Sequence, residues 1–525
     1  MARSKARFCV VAVIVCVAVL VRRECPADTF SRAAVAADSA TCSQIGRDIL
    51  QSGGSAVDGA IAALLCTSVI NAQSMGLGGG SIFTVMDSSG KAKIINSRET
   101  VPRKVKPDLL NTCPTTFQLV SGSQWIAVPG ELRGYEQAHR IYGKLPWATL
   151  FQPTIKLARE GFPIPQIQGR YLPYTDTNET KKLFSDENGN LLNVGDIVKF
   201  EKLADTLEVI AKEGADAFYK GRIAEDLIRD IEEAGGTLSV QDLESYNVTV
   251  TDAWAVPLGE YQMYIPPPPA GGVLLSLVLN IMKGSSSLTG EQKTLTYHRY
   301  VEALKFANGM KKQTNPQFSS EERHANYVSF ADHIRSLIRS DTVHDPQHYN
   351  ITPHLDTMGT THVSVLAEDG SAVSVTSTIN QMSVSAKFNP IIQLFCKWRM
   401  KKVWDQPPSS MAPAVLKSPS KTLVIGSTGG NMITTGIAST LMHHLWFGKS
   451  LKEAIAEPIV FVDSQNALNF EPNFDTDVIE ALKALGHTQR NPNRFFNVVN
   501  AVKREEDGCI YAVSDARKLG QAAGY

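Results

Sequence analysis

Two runs of alternating polar and apolar residues, separated by a turn, stand at residues 359–380 (GTTHVSVLAEDGSAVSVTSTIN). The alternation over 361–367 and again over 373–379 is typical of half-buried strands, and Glu368-Asp-Gly370 is a turn signal. The segment therefore predicts a β-hairpin with Thr360 at its leading edge. Threonine also suits any pleated sheet surface, so a purely structural strand remains open at this point.

Length and composition favour a large protein of mixed fold. The chain has 525 residues, 43% of them hydrophobic, so it can bury a large core and is too long for one small domain. It carries 52 basic and 52 acidic residues, and this balance gives no basic field that would attract nucleic acid. Strand and helix patterns alternate along the chain, which predicts the α/β (α+β) class.

The clearest predicted helices and strands are spread over the whole chain. Two helical runs within 38–68 are separated by Gly53-Gly54. The other predicted helices are 202–212, 223–234, 273–282, 294–306 and 433–446. The predicted strands besides the hairpin are 82–86, 422–426, 459–462 and 496–502.

The first residues predict export. Three basic residues precede an apolar run at 8–21, and Arg22-Arg23 follow it. The run is short for a membrane span and close to a signal-peptide core, so a cleaved signal and an uncleaved anchor are both open. The flanking arginines and the missing small-x-small cleavage site favour the anchor. Residues 1–32 are then a cytosolic tail and signal-anchor of a single-pass type II protein in the cell membrane, with its catalytic part extracellular.

Sequons and cysteines agree with export. Asn178, Asn247 and Asn350 each begin an Asn-x-Thr glycosylation sequon. Among the eight cysteines, Cys42 and Cys66 could pair in an oxidising compartment, and their spacing matches no zinc-binding pattern.

Several common catalytic patterns are absent from the sequence. It contains no H-E-x-x-H, C-x-x-C or G-x-S-x-G motif. Residues 447–450 resemble the end of a phosphate-binding loop, but His443 occupies the position of the required earlier glycine. The glycines at 76–80 lack the further glycine of a dinucleotide fingerprint. His443-His444 on an apolar helix are expected to be packed or half-exposed, so we expect no metal and no cofactor.

With those chemistries set aside, Thr360 becomes a candidate nucleophile. A threonine hydroxyl is a weak nucleophile unless a base lies beside it, and an N-terminal threonine carries its own base in an α-amine of pKa near ~8. That arrangement requires the chain to be cut directly before Thr360. Gly359 suits the cut, since a residue without a side chain allows the strained backbone that attack on its carbonyl needs.

A set of motifs from about Ala33 to Tyr525 resembles the γ-glutamyltransferase family. The hairpin contributes Gly359-Thr-Thr-His362 and Thr376-Ser-Thr-Ile-Asn380. The other motifs are Ser74-Met-Gly-Leu-Gly-Gly-Gly80, Ile95-Asn-Ser-Arg-Glu99, Val128-Pro-Gly130, Leu145-Pro-Trp147, Phe151-Gln-Pro153, Pro408-Ser-Ser-Met411, Gly426-Ser-Thr-Gly-Gly430, Ser514-Asp-Ala-Arg-Lys518 and Ala523-Gly-Tyr525.

The resemblance implies a fold and a reaction. Members of the family are N-terminal-nucleophile hydrolases with an αββα sandwich, and they cleave themselves into two subunits. Here these would be a large subunit, 33–359, and a small subunit, 360–525. Members cut the γ-glutamyl amide of glutathione and its conjugates, and pass the acyl group to water or to an acceptor amino acid.

The resemblance also implies roles for residues of the reaction centre. Thr360 matches the nucleophile, and Thr378 matches the threonine whose hydroxyl bonds it. Gly429 and Gly430 match glycines whose N–H groups form the oxyanion hole. Cys42 and Cys66 match a family disulfide.

Four further residues match the part of the family site that holds the substrate. Arg98 matches the arginine that pairs with the α-carboxylate of the γ-glutamyl donor. Ser409 and Ser410 match serines that hold the same carboxylate, and Asn380 matches a substrate-binding amide.

Two segments depart from the family pattern. Members usually carry an acidic run of the Asn-Asn-Glu-Met-Asp-Asp type, which binds the donor's α-ammonium. Residues 381–408 hold five basic residues and one acid, Asp405, instead. Residues 308–316 replace an Arg-Thr-x-x-Gly-Asp-Pro run. An alternative exon or an annotation error would explain the first change, and an unprocessed or impaired member acting as a binding or structural protein is the second hypothesis. We expect weak donor binding by this chain.

Overall fold

The computed structural model describes residues 25–106, 123–174, 178–284, 289–310, 320–349, 359–380, 405–490 and 497–525. The apolar run at 8–21, the sequon at Asn350 and residues 381–404 lie outside these ranges. Asn178 is described only through the backbone of the helix that it begins.

The described strands form two large sheets and two small ones. The strands are β1 Ala34–Ala36, β2 Gly80–Met86, β3 Ala92–Ser97, β4 Phe162–Pro163, β5 Ile197–Val198, β6 Thr249–Asp252, β7 Trp254–Leu258, β8 Tyr261–Ile265, β9 Thr360–Leu366, β10 Ala372–Thr378, β11 Ala414–Lys417, β12 Thr422–Thr428, β13 Val460–Val462, β14 Leu468–Phe470, β15 Gln489–Arg490, β16 Val498–Arg504, β17 Ile510–Val513 and β18 Ala523–Gly524. The seven-stranded sheet has the order β18-β1-β9-β10-β2-β3-β6, and the six-stranded sheet has the order β17-β16-β12-β11-β8-β7. The small sheets are β13-β14-β15 and β4-β5.

The described helices fill the sequence between the strands. They are α1 Ala40–Gln51, α2 Ala56–Ile70, α3 Glu131–Tyr142, α4 Trp147–Glu160, α5 Gln166–Gly169, α6 Asn178–Leu183, α7 Glu201–Glu213, α8 Asp216–Tyr219, α9 Arg222–Glu233, α10 Val240–Glu244, α11 Gly272–Met282, α12 Gly290–Met310, α13 Ser320–Leu337, α14 Ile433–Leu445, α15 Leu451–Ala456 and α16 Thr476–Ala484.

The two large sheets pack face to face between two layers of helices. A buried layer of mostly small apolar residues joins the sheets, with Ala34, Ala36, Leu366 and Ala372 from one and Val415, Val424 and Val502 from the other. Helices α1–α4 and α7 cover the outer face of the seven-stranded sheet, while α11, α12 and α14 cover that of the six-stranded sheet. The expected αββα sandwich is therefore confirmed.

The predicted hairpin is present, but its strands are not half-buried. β9 and β10 pair antiparallel along their whole length, with Thr360 opposite Thr378. Every residue of both strands is buried, because helices cover one face and the second sheet covers the other. The expectation of a solvent-facing polar side was wrong. Its polar residues instead bond inside the protein, as Ser374 does by donating to the Ile425 carbonyl oxygen at 2.9 Å.

Local sequence signals account for many element boundaries. Gly53 has φ +90°, a left-handed value that ends α1 and that glycine adopts readily. Gly54 then packs against the end of α1, where a Cβ atom would lie only 2.7 Å from the Ile49 carbonyl oxygen. Ser55 then begins α2 with a capping box closed by Asp58. The other predicted helices begin and end within four residues of the observed bounds.

Two disulfides are present among the described residues. Cys42–Cys66 joins α1 to α2, as the resemblance implied, with 5.3 Å between the Cα atoms. Cys25–Cys509 joins the beginning of the described chain to the loop before β17, and the sequence analysis did not foresee it. Among the described residues, no helix has both the length and the apolar character needed to cross a membrane.

Candidate active site

Thr360 and Thr378 lie side by side where β9 begins and β10 ends. Their hydroxyl oxygens are 3.1 Å apart, and both side chains are buried. The Thr378 hydroxyl also donates to the carbonyl oxygen of Gly359 at 2.5 Å and accepts from the Asn380 N–H at 2.9 Å. Since Thr378 has one hydroxyl proton and gives it to Gly359, the Thr360 hydroxyl is the donor between the two threonines.

The backbone before Thr360 has an unusual conformation. Gly359 has φ +117°, a value that residues with a side chain rarely adopt. The glycine thus brings its carbonyl into reach of the Thr378 hydroxyl, beside the hydroxyl of the next residue. We expected a strained backbone here; glycine adopts this positive φ without steric cost, so the value shows why glycine suits the position and does not itself show strain.

Arg98, Glu99 and Asn380 form a buried polar group beside the threonines. Arg98 Nη2 donates to Asn380 Oδ1 at 2.6 Å, and Asn380 Nδ2 donates to Glu99 Oε1 at 2.6 Å. Arg98 and Glu99 also form an ion pair of 3.3 Å, with 3% and 1% of their side chains exposed. Burial lowers the pKa of Arg98, and Glu99 opposes this effect. Within the described part of the chain, Arg98 Nε and Nη1 have no hydrogen-bond partner, so both nitrogens can still donate to a ligand.

Ser409 and Ser410 lie on a segment that packs against a proline-rich turn. The Ser409 N–H donates to the Pro269 carbonyl oxygen at 2.8 Å, and the Ser409 hydroxyl accepts from the Met411 N–H at 3.1 Å. Gly271 permits this approach, since a Cβ atom there would lie 2.5 Å from the Ser410 carbonyl oxygen. Both serines are half-buried.

The chain just before these serines runs beside Arg98. Gln406 accepts from the Asn96 side chain at 2.8 Å and donates to the Arg98 carbonyl oxygen at 3.2 Å. The Val101 N–H donates to the Asp405 carbonyl oxygen at 3.1 Å. The return of the chain from the 381–404 segment is thus fixed next to the arginine.

Gly429 and Gly430 lie at the same end of the sandwich as the threonines. They follow β12 with φ +98° and +59°, and α14 begins three residues later. The β12 residue Gly426 lies under the ring of His362, where a Cβ atom would be 2.2 Å from the ring. Ser374 bonds the carbonyl oxygen of Ile425, the residue before Gly426, and lies farther than His362 from the Thr378 end of the seven-stranded sheet. From Ile425 to Gly426, β12 therefore runs toward the Thr378 end.

Lys518 and Asp38 support the start of β9, and the sequence analysis assigned no role to either. Lys518 Nζ donates to the Thr360 carbonyl oxygen and to Asp38 Oδ2, both at 2.7 Å. The same Asp38 oxygen accepts from the Thr361 hydroxyl at 2.7 Å, and Asp38 Oδ1 accepts from Asn500 at 2.8 Å. The only available signal for Lys518 was the family-like motif at 514–518.

The histidines that the sequence singled out form no metal-binding group among the described residues. His362 is fully buried, donates from Nε2 to Ser364 and accepts at Nδ1 from Thr376, both at 2.9 Å. Burial lowers the pKa of His362 to about 3, so its ring is neutral. His443 is buried and His444 half-buried. Across the described ranges, no group of three or more His, Cys, Asp or Glu residues could hold a metal ion.

Comparison with known proteins places the chain in a family. The sequence profile described as Gamma-glutamyltranspeptidase matches residues 42–392 and 400–525. The chain belongs to the γ-glutamyltranspeptidase family. The protein named glutathione hydrolase 5 proenzyme from Rattus norvegicus is 43% identical over 98% of this family member and 96% of its own length. The human protein of the same name is 41% identical over the same shares of both chains.

A solved structure agrees with the fold of this γ-glutamyltranspeptidase family member. Cephalosporin acylase from Bacillus halodurans superimposes with a TM-score of 0.81 over 95% of this chain and 96% of that one, at 22% identity. The profile match is interrupted at residues 393–399, inside the 381–408 segment that departs from the family pattern. The alignment with the rat protein spans 554 positions against 525 residues here, so that relative has residues without a counterpart in this chain.

Proposed function

We propose that this γ-glutamyltranspeptidase family member is a self-processed glutathione hydrolase and γ-glutamyltransferase with Thr360 as its nucleophile. One observation carries the proposal. The Thr360 hydroxyl, the Thr378 hydroxyl and the Gly359 carbonyl form one hydrogen-bonded line at the peptide bond that must be cut. The relatives are named glutathione hydrolases, which favours an enzyme. The alternative, an unprocessed binding or structural protein, is supported by the altered 381–408 segment alone.

Self-scission begins with attack of Thr360 Oγ1 on the Gly359 carbonyl carbon. The Thr360 hydroxyl passes its proton to Thr378, and Thr378 passes its own proton to the Gly359 oxygen. The C–N bond then breaks as the Gly359 oxygen gives up that proton and the nitrogen of Thr360 takes one up. The C=O bond re-forms, and residue 359 is held as an ester on the Thr360 oxygen. Breaking the C–N bond frees the α-amine of Thr360, and water then hydrolyses the ester to the carboxylate of Gly359 and the hydroxyl of Thr360.

Turnover uses the same oxygen with the new amine as its base. The Thr360 oxygen attacks the γ-carbonyl carbon of glutathione, and the α-amine carries the proton to the leaving nitrogen. A γ-glutamyl ester forms on Thr360 and is released by water or by the amine of an acceptor amino acid. The N–H groups of Gly429 and Gly430, in the turn at this end of the sandwich, stabilise the oxyanion.

Donor recognition rests on Arg98. Its Nε and Nη1 are buried and without a protein partner among the described residues, so their N–H groups can donate to the donor's α-carboxylate. Ser409 and Ser410 hold the same carboxylate from the proline-rich turn. Asn380, fixed by Arg98 and Glu99, offers its amide to the substrate.

The proposal places the catalytic part outside the cell. The apolar run at 8–21 anchors a type II membrane protein, and residues 33–359 and 360–525 form the two subunits. Asn247 is exposed on the surface, as a glycosylated side chain must be. Asn178 and Asn350 are proposed as the other two glycosylation sites.

Steady-state kinetics with a γ-glutamyl anilide and with glutathione test the proposal. The protein should release the aniline from the anilide, and Thr360→Ala should lose turnover entirely. Thr360→Ser should keep part of it, because a hydroxyl remains. The Thr361 hydroxyl bonds Asp38 and takes no part in the hydrogen-bonded line of Thr360, Thr378 and Gly359. Thr361→Ala should therefore keep most of the activity. Equal rates for the protein and Thr360→Ala would reject the proposal.

A further inference from the structure

The Cys25–Cys509 disulfide joins the two parts of the chain that scission would separate. Cys25 precedes the large-subunit part, while Cys509 lies in the small-subunit part, 484 residues later. The Cα atoms are 5.6 Å apart, a normal disulfide separation. The second disulfide, Cys42–Cys66, lies wholly on the large-subunit side and cannot link the subunits.

The residues after Cys25 lie against the small-subunit part. Phe30 and Ile510 exchange two backbone hydrogen bonds, at 2.9 and 2.8 Å. The Tyr525 carbonyl oxygen accepts from the N–H groups of Arg32 at 2.8 Å and Ala33 at 3.3 Å. β1 then lies between β18 and β9, both of which belong to residues 360–525. The disulfide is therefore part of an extensive contact and not an isolated bridge.

We propose that Cys25–Cys509 is a covalent link between the two subunits, so that the chain bearing Thr360 stays attached to the N-terminal segment after scission. The inference rests on the proposed self-scission, because without it the disulfide only closes a loop in one chain. Scission turns contacts within a chain into contacts between chains, which dilution can separate. A covalent link holds the two subunits together, so each has a high effective concentration beside the other, in the millimolar range for a short tether.

Denaturing electrophoresis with and without reductant tests the link. The purified protein is deglycosylated, and its free thiols are alkylated before denaturation to prevent exchange. Without reductant the protein should run as one band near 57.2 kDa, the mass of the chain. With dithiothreitol, which reduces the disulfide to two thiols, it should run as two bands. Cys25→Ser and Cys509→Ser should give two bands in both lanes, and Cys42→Ser should behave like the unchanged protein.

The possible outcomes separate the link from the scission. One band in both lanes would show that the chain is not cut, which rejects the proposed function. Two bands without reductant would overturn the link and leave scission established. Peptide mapping without reduction gives a readout that needs no variant: it should recover a joined pair of peptides containing Cys25 and Cys509. Recovery of both as alkylated thiols would also overturn the link.

Discussion

At the scale of single residues, the Thr378 hydroxyl lies between the two groups that are proposed to react. It accepts from the Thr360 hydroxyl and donates to the Gly359 carbonyl, which are the nucleophile and the electrophile of the proposed scission. Removing it leaves the Gly359 oxygen without this donor. Loss of one such donor costs other acyl-transfer sites about 100- to 1,000-fold in rate.

We therefore predict that Thr378→Ala slows self-scission by about 100- to 1,000-fold. A time course of the two fragments after synthesis, read on reducing gels, measures this rate. Ser377→Ala is the matched control, because Ser377 is the neighbouring buried hydroxyl on β10 and bonds neither Thr360 nor Gly359. If Thr378→Ala matures as fast as Ser377→Ala, Thr378 takes no part in scission.

Glu131, the first residue of α3, is a fully buried acid below the site. Burial raises the pKa of Glu131 to about 8, although the hydroxyls of Tyr135, Ser377 and Ser81 act in the other direction. The folded protein then keeps this proton while the unfolded chain loses it near pH 4.5. The stability that Glu131 contributes is present below about pH 4.5 and is lost as the pH rises to about 8.

Glu131→Gln should remove that pH dependence. The variant should be more stable than the unchanged protein at pH 8, by up to about 4 kcal/mol, and the difference should shrink toward pH 5. Urea unfolding at the two pH values measures the free energy of unfolding. Glu213→Gln, at an exposed position of α7, should change neither value. The same loss of stability from pH 5 to pH 8 in Glu131→Gln and the unchanged protein would show that Glu131 is ionised when folded.

Residue roles were foreseeable only where a motif carried them. Thr360 and Gly359 stood out through the chemistry of an N-terminal threonine. Asp38 and Lys518 support the Thr360 strand, but they are 322 and 158 residues away from it along the chain. Nothing local to either residue reports such a contact, because it is created only when the sheets assemble.

At the scale of elements, the periodicity of the sequence predicted where helices and strands lie along the chain better than it predicted which of their faces are buried. The strands of the hairpin and helices such as α7 and α9 lie within a few residues of their predicted bounds. The burial of β9 and β10 was misjudged, because alternating polar residues normally face water. Here they face a second sheet, and hydroxyls such as those of Ser364 and Ser374 donate to backbone carbonyls of that sheet.

The basic character of residues 381–404 bears on donor binding. The segment returns to the site at Asp405 and Gln406, next to Arg98. In the proposed donor site, the α-ammonium would lack the carboxylates of the acidic family run. A buried charge without its partner typically costs about 2–5 kcal/mol.

We predict that replacing residues 381–404 with the acidic family run raises kcat/KM by roughly 30- to 5,000-fold. A γ-glutamyl anilide is the substrate, and the control is the same replacement with every carboxylate changed to the corresponding amide. Self-scission should be equally complete in all three proteins, since it needs Thr360 and its neighbours. Unchanged kcat/KM with the acidic run would point to another anchor for the ammonium, such as Asp405.

At the scale of the whole molecule, the sandwich brings together distant parts of the chain that the proposed scission would separate. β1 lies between two strands from beyond residue 359, and β2 extends the same sheet on the other side of the hairpin. A buried network also joins residues on the two sides of the Gly359–Thr360 bond: Lys305 donates to Glu302 at 3.1 Å and to His487 at 3.0 Å. The two subunits are therefore expected to form one folded body.

Such long-range pairing could not be predicted from the sequence. Cys25 and Cys509 are among eight cysteines, and sequence alone does not fix their connectivity. The family resemblance supplied the fold class and the Cys42–Cys66 pair, but it gave no partner for Cys25. Only the placement of the N-terminal segment against β17 and β18 makes the second disulfide possible.

The central claim, scission between Gly359 and Thr360 to expose the nucleophile, is tested most directly on the smaller fragment itself. The protein is expressed through a secretory pathway, reduced and deglycosylated, and the fragment is analysed by intact mass and by N-terminal sequencing. The account predicts a fragment that begins Thr-Thr-His-Val and has the mass of residues 360–525. A chain that stays whole, or a fragment that begins at any other residue, would contradict it.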